Sequence, residues 1–241
     1  MLPYLKTRII STVRCPGGVN GECFYKKHIG EHNQGIKSVH IPNDNDNKED
    51  YYYIKDRNGL ISEVQMNSFE FHIWGSKVKS LEKPDIMVFD FDPDKKVTLT
   101  QIRSGVKDLK KILDDLKVKS YLKTSGGKGY HVVAKIKSKN WEEHGKIAKD
   151  IATLMAQKWP NKYTTNIRKN AREGKIFIDW VRNTRMATNV APYSLRIKKG
   201  AAISMPIKWS ELDKVKPDEI KIPDAIKRLK RKDPWEGFLE T

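Results

Sequence analysis

Cysteine is almost missing from this chain. Cys15 and Cys23 are the only two in 241 residues, and no histidine or cysteine stands at zinc spacing around them. That excludes a zinc module and predicts reduced thiols in a cytoplasmic protein. Long apolar runs are missing as well. No stretch approaches the roughly 20 apolar residues of a membrane span, and the opening Met1-Leu2-Pro3-Tyr4-Leu5-Lys6-Thr7-Arg8 lacks the apolar core of a signal peptide. A soluble, unprocessed protein without a membrane partner is expected. Repeats and low-complexity linkers are absent, which removes solenoid and disordered classes. Acidic residues are the short side of the charge balance, 30 Asp and Glu against 47 Lys and Arg, a formal net charge of +17. Such an excess repels itself unless it is solvated or faces a polyanion, and nucleic acid is the commonest polyanionic partner. The alternative is a generally basic protein whose lysines are spread along helices.

What is present is chemically pointed. Ile86-Met87-Val88-Phe89-Asp90-Phe91-Asp92-Pro93 reads as a buried strand with two carboxylates at its carboxyl end. Strand side chains alternate, so Asp90 and Asp92 project from one face. Like charges held side by side repel, and a hard divalent cation such as Mg²⁺ or Mn²⁺ is the usual remedy. Further on, Ser125-Gly126-Gly127-Lys128-Gly129-Tyr130-His131 offers hydroxyl, ammonium and imidazole donors on a loop whose glycines admit close approach of phosphate. It lacks the Walker A spacing, and a strand follows it where a P-loop has a helix; a plain glycine turn is the competing reading. Asp179, inside Ile176-Phe177-Ile178-Asp179-Trp180, is a lone acid in an apolar strand, which needs a metal or a salt bridge to an arginine. Three acids on strands beside a phosphate-ready loop suit two-metal phosphoryl transfer.

The remaining pattern frames these motifs. Residues 8–14 and 22–29 read as strands around a turn at 15–21. Asn43 to Asp50 reads as an exposed loop, and Tyr51–Lys55 as a strand, making a β-rich lobe over 1–58. In the catalytic part, 59–241, a short helix is expected over Leu60–Asn67 and a strand over Phe69–Trp74. A helix over 100–117 carries Ile102, Val106, Leu109, Leu113 and Leu116 on one stripe, with Thr98 and Gln101 as a capping box. Strands are expected at Ser120–Thr124, Tyr130–Ile136 and Tyr193–Ile197. A helix over Trp141–Trp159 points Ile147, Ile151, Leu154 and Met155 inward, and two short basic helices fill 210–230. The fold class is α+β (mixed α/β), with central sheets flanked by helices around a cleft.

Four segments carry a family resemblance: Lys83-Pro84-Asp85-Ile86-Met87-Val88-Phe89-Asp90-Phe91-Asp92-Pro93, Thr124-Ser125-Gly126-Gly127-Lys128-Gly129-Tyr130-His131, Phe177-Ile178-Asp179-Trp180 and Ala191-Pro192-Tyr193-Ser194-Leu195-Arg196. In order and spacing they resemble the polymerase domain of bacterial ligase D. That domain belongs to the archaeo-eukaryotic primase superfamily, whose motifs are Asp-x-Asp, Ser-x-x-x-x-x-His and a later strand Asp. The resemblance covers nearly the whole chain. It implies a primase-polymerase fold and a nucleotidyltransferase that adds nucleotides, ribonucleotides by preference, to DNA ends in non-homologous end joining. Asp90, Asp92 and Asp179 would be catalytic and hold two divalent ions, Mn²⁺ or Mg²⁺. Ser125, Lys128, His131 and Arg196 would hold the incoming NTP or dNTP, with Arg172 near the active centre and His72 on the nucleotide side. Phe24 and Tyr25, before Lys27, would form a platform for the template base in DNA binding; core packing is the ordinary reading of that aromatic pair, and a half-exposed strand histidine that of His72.

The resemblance also implies that a helical segment ahead of Met1, part of the family's grip on a recessed 5′-phosphate, has no counterpart, and that the polymerase unit stands alone. The expected partners are therefore primer-template, gapped or broken DNA, nucleoside triphosphates, a separate DNA ligase and the Ku end-binding protein, in the bacterial cytoplasm. Two rivals remain at this level. A haloacid-dehalogenase-type phosphatase also has a Val-Phe-Asp-Phe-Asp-like strand, although the small Gly-Thr continuation and the late acidic pair are missing here. The other rival is a basic nucleic-acid-binding module with an inactive site.

Overall fold

The described residues form four sheets, of which the two largest, one of six strands and one of four, line the main cleft. The computed structural model describes residues 1–30, 34–41, 50–198 and 200–239; the loop expected at Asn43 to Asp50 lies, except for Asp50, outside them. In chain order the elements are α1 (Leu2–Leu5), β1 (Ile10–Arg14), β2 (Phe24–Lys26), β3 (Ile36–Val39), β4 (Tyr51–Ile54), α2 (Arg57–Gln65), β5 (Ser68–Trp74), β6 (Ile86–Pro93), α3 (Leu99–Asp115), β7 (Ser120–Thr124), β8 (Tyr130–Lys135), α4 (Trp141–Lys158), β9 (Tyr163–Thr164), β10 (Ile176–Asp179), β11 (Thr188–Val190), β12 (Ser194–Leu195), β13 (Ile203–Ser204), β14 (Pro206–Ile207) and α5 (Ile222–Leu229). The larger sheet runs β14-β7-β8-β6-β10-β9, antiparallel except for β9 with β10. The smaller runs β11-β5-β1-β2, antiparallel throughout, and so draws two strands from the first 58 residues and two from later sequence.

β6 organises the molecule because each of its faces has a different job. Met87, Phe89 and Phe91 enter the main core with Ile102, Val106, Leu109 and Leu113 of α3 and Ala148, Ile151 and Met155 of α4. Each fully buried Phe or Leu there contributes roughly 1.5–3 kcal/mol. Ile86 and Val88 pack on the opposite face with Tyr4, Tyr121, Trp235 and Phe238. Asp90 and Asp92 continue that second face toward the space between the sheets. The Thr98/Gln101 capping box starts α3 as the sequence implies. Leu116 and Leu154 depart from expectation: both are exposed. Leu116 is the C-cap of α3, and Leu154 lies about 100° around α4 from Met155 and so off the buried stripe.

Other departures are small. The strand expected at Tyr193–Ile197 pairs only over Ser194–Leu195, and 210–230 holds one 3₁₀ turn, Trp209–Glu211, and α5. The cysteines are a correction. Cys15 and Cys23, expected as free thiols, form a disulfide. The hairpin register explains it: Arg14 pairs with Phe24, so the next residues along face each other, with Cα atoms 4.2 Å apart. Composition spoke only of compartment and carried no register.

Asn183 ties the catalytic strand down where β10 ends. Its side chain accepts from Val88 N–H at 2.7 Å and donates to Val88 C=O at 2.8 Å, in place of a missing neighbour strand. Asn183→Ala strands both groups in a buried sheet. The unfolding free energy is expected to fall by about 2–4 kcal/mol, read as a lower urea midpoint at constant m; a shift under about 0.5 kcal/mol would mean that water replaces the amide.

Candidate active site

One register line across the larger sheet gathers the chemistry. Asp179 on β10 pairs with Asp90 on β6, Asp90 with His131 on β8, and His131 with Lys123 on β7. His131 Nε2 lies 3.4 Å from Asp90 Oδ1. Burial pushes the Asp90 carboxyl up to about 6; Arg182 opposes the shift, while Asp179 and Asp92 add to it. The His131 imidazole is held well below its ordinary range by burial first, then by Lys123 and the nearby arginines, so it is neutral at pH 7. Asp179 accepts from Val181 N–H and Arg182 Nε, each at 3.1 Å. Asp92 is paired with Arg172 Nη1 at 2.9 Å, and that guanidinium sits 3.8 Å from the centre of the Phe177 ring.

The glycine loop bends around Ser125, whose Oγ accepts from Gly127 N–H at 3.0 Å and Gly129 N–H at 3.2 Å. Two of its glycines are obligatory. Gly126 has φ +67° and packs on Arg196, and a Cβ on Gly129 would lie 2.5 Å from the Phe91 carbonyl. The loop thereby presses against the strand that carries the acids. Opposite stands the smaller sheet, with buried Glu70 on β5 as its hub. Glu70 Oε2 meets His72 Nε2 at 3.0 Å and Arg196 Nε at 3.1 Å, and Oε1 accepts from Ile197 N–H at 2.6 Å. Burial raises the Glu70 carboxyl, but His72, Arg196 and the Ile197 amide outweigh it and leave it below the ordinary glutamate range.

Between the sheets lies a cleft of about 250 Å³. It brings together nine expected residues: Asp90, Asp92, Asp179, Ser125, Lys128, His131, Arg196, His72 and Tyr25. Arg172 stands behind Asp92 instead of on the wall, its other donors directed at the carbonyls of Asn166 and Ile167. Phe24 and Tyr25 are exposed, at 47% and 60%, which rules out core packing; Tyr25 edges against His72 with ring centroids 5.7 Å apart. Phe24 and Lys27 are exposed on the same hairpin but outside the lining. His72, expected as half-exposed on the ordinary reading, is buried.

Comparison with known proteins decides the family. Residues 1–235 match the family described as LigD, primase-polymerase domain. The chain belongs to that family, whose members are nucleotidyltransferases. It is 32% identical over its whole length to the multifunctional non-homologous end joining protein LigD of Pseudomonas aeruginosa, of which it spans 29%. It is 25% identical over 96% of its length to the bifunctional LigD of Bacillus subtilis, of which it spans 38%. The polymerase domain of Mycobacterium tuberculosis ligase D, solved in complex with DNA, has the same fold: TM-score 0.90 at 24% identity, covering 100% of this chain and 87% of that one. The phosphatase reading falls with the family assignment.

The donor set of this LigD-type domain fits hard divalent cations. Asp90 and Asp179 face each other across paired strands, and the raised Asp90, pushed up by burial first and by Asp179 and Asp92 in lesser measure, is what a cation would relieve. Among the described residues no three acids, histidines or cysteines form one ligand cluster; Asp92 and Asp179 are paired with Arg172 and Arg182. Sequence reasoning missed Glu70, Lys123, Arg182 and Lys198. Lys198 lines the cleft, and its Nζ would meet a Cβ on Gly127 at 2.9 Å. Arg182 meets Asp179 three residues away, whereas Lys123, Lys198 and the Glu70–Arg196 pair acquire meaning only through strand register and long-range contacts.

Proposed function

We propose that this domain extends DNA primers at broken or gapped ends by nucleotidyl transfer, as the polymerase step of double-strand-break end joining. The observation that carries the reading is the line Asp179–Asp90–His131 in one cleft with the Ser125 loop and Arg196. Asp90, Asp92 and Asp179 would hold two divalent ions, which when bound would supply Lewis-acid activation of the primer hydroxyl and charge neutralisation at the pyrophosphate. Lys128 and Arg196 bring positive charge, and Ser125 and His131 neutral donors, to the triphosphate. His72 borders the nucleotide, and Arg172 orients Asp92. Tyr25, with Phe24, offers an exposed aromatic surface for a template base, worth about 1–3 kcal/mol without sequence preference. Lys27 and the wider basic surface hold phosphates. Ribonucleotides and Mn²⁺ are the preferred substrate and metal. A DNA ligase seals the product, and Ku holds the ends.

The test is extension of a labelled primer on gapped DNA, with NTP and dNTP and with Mn²⁺ and Mg²⁺ in parallel. Template-dependent addition is expected, fastest with NTP and Mn²⁺. DNA shifted in a gel but never extended would leave only the binding module.

A further inference from the structure

Lys123 is the most deeply buried cationic side chain among the described residues, 1% exposed, and family resemblance gave it no role. Its Nζ lies 2.9 Å from His131 Nδ1 and 2.8 Å from Ser204 Oγ. Both bonded partners are neutral groups, an expensive setting for an amine unless the contact does something. The donor directions can be worked out. Ser204 Oγ spends its single proton on the Thr124 carbonyl at 3.0 Å, so toward Lys123 it accepts. Burial, with Arg196 nearby, pushes the Lys123 amine well below its ordinary range; even as a neutral amine it keeps two N–H donors, one for Ser204 Oγ and one for His131 Nδ1, and in that arrangement Nδ1 accepts. A neutral imidazole that accepts at Nδ1 carries its proton on Nε2. That nitrogen points into the cleft, 3.4 Å from Asp90 Oδ1 and beside the glycine loop.

We propose that Lys123 is a positioning residue: anchored by Ser204, it fixes His131 as the Nε2–H tautomer, so that a donor and not a lone pair faces the incoming nucleotide. This deepens the polymerase reading and rests on it for the identity of the ligand. A triphosphate oxygen is an acceptor only, and an Nδ1–H tautomer would turn a bare nitrogen toward it and repel it. Nothing local in the sequence supplies this constraint. Lys123 becomes buried because β14 pairs with β7, and Ser204 reaches it from 81 residues away.

Two measurements test it. Long-range ¹H–¹⁵N correlation spectra of the uniformly labelled full chain, without nucleotide or metal, report the His131 tautomer directly. Nε2–H is expected in the wild type, and a predominant Nδ1–H form overturns the proposal whether or not the protein polymerises. Lys123→Met keeps length and removes the donors. It is expected to shift the His131 spectrum toward a tautomer mixture and to raise the KM for nucleotide about 10- to 100-fold, the loss of one hydrogen bond to a charged group, with a smaller change in kcat. A folded Lys123→Met protein with wild-type tautomer and KM would show that the lysine only fills space. Should that variant fail to fold, Ser204→Ala, which releases the anchor, is expected to give the same spectral change in smaller measure; an unchanged spectrum counts against the proposal. Failure of the wild type to extend any primer would sink the function and leave the tautomer result standing.

Discussion

Asp90→Asn is expected to abolish primer extension, by about 10³-fold or more, while DNA affinity stays within about twofold of wild type and the metal-free protein becomes more stable. The first effect follows from removing one of the three acids proposed to hold the divalent ions. The second follows because, on the proposed function, DNA phosphates would be neutralised by basic side chains, 47 against 30 acidic, and not by the carboxylates. The third comes from linkage. The folded Asp90 carboxyl stands at about 6 against an ordinary 3.8. Its contribution to stability is therefore complete below 3.8 and is lost as pH rises through about 6. At pH 7 the ionised group burdens the fold, and a neutral amide of the same shape removes that burden, raising the unfolding free energy by about 1–3 kcal/mol. Thermal melts in chelator at pH 7 and pH 5 check it: the advantage of the variant should shrink at the lower pH. A residue whose loss kills activity yet stabilises the protein belongs to function and not to architecture. A destabilised, partly active Asp90→Asn would place it in the structural class.

The acids were legible because strand alternation is local. Asp90 and Asp92 share a face by spacing alone, and Asp179 announces itself as a charge in an apolar strand. The helices were legible from their stripes and from the Thr98/Gln101 cap, with errors where a stripe outran the sheet beneath it, at Leu116, or strayed off its buried side, at Leu154. What was not legible depends on which strands pair. The disulfide follows from the Arg14–Phe24 register, and nothing in a count of cysteines contains that. Lys123 looks like any of 47 basic residues until β13 and β14 close over it. Arg172 reads by the resemblance as lying near the active centre, but its pairing with Asp92 across 80 residues of sequence is invisible there. Glu70 looks like the exposed member of an alternating strand, although it is buried and ties β5 to Arg196 and Ile197.

Glu70→Ala should have the largest effect of any change outside the acids, because it strands three partners at once. Arg196, only 16% exposed in its side chain, loses its counter-charge, His72 loses the acceptor that orients its ring, and Ile197 N–H loses its acceptor. Removing one member of a buried ion pair costs about 3–5 kcal/mol. The pH signature carries the opposite sign from that of Asp90. The Glu70 carboxyl lies below its ordinary 4.5 when folded, so the stability it confers is present above that value and is lost as pH falls through the folded one. His72, lowered from 6.5 by burial despite Glu70, adds a loss that begins as pH drops below 6.5. Removing Glu70 should thus flatten the acid limb below pH 4.5 while lowering the plateau. Glu70→Gln separates architecture from recognition: its amide oxygen can still accept from Ile197 and support the loop, but it cannot hold the guanidinium by charge. The Gln variant is expected to fold with a smaller deficit and still show a nucleotide KM raised about tenfold or more, since Arg196 enters the cleft at the angle Glu70 imposes. If Glu70→Gln binds nucleotide as tightly as wild type, Arg196 finds its position without Glu70, and the tie between β5 and the Arg196–Ile197 segment is structural alone.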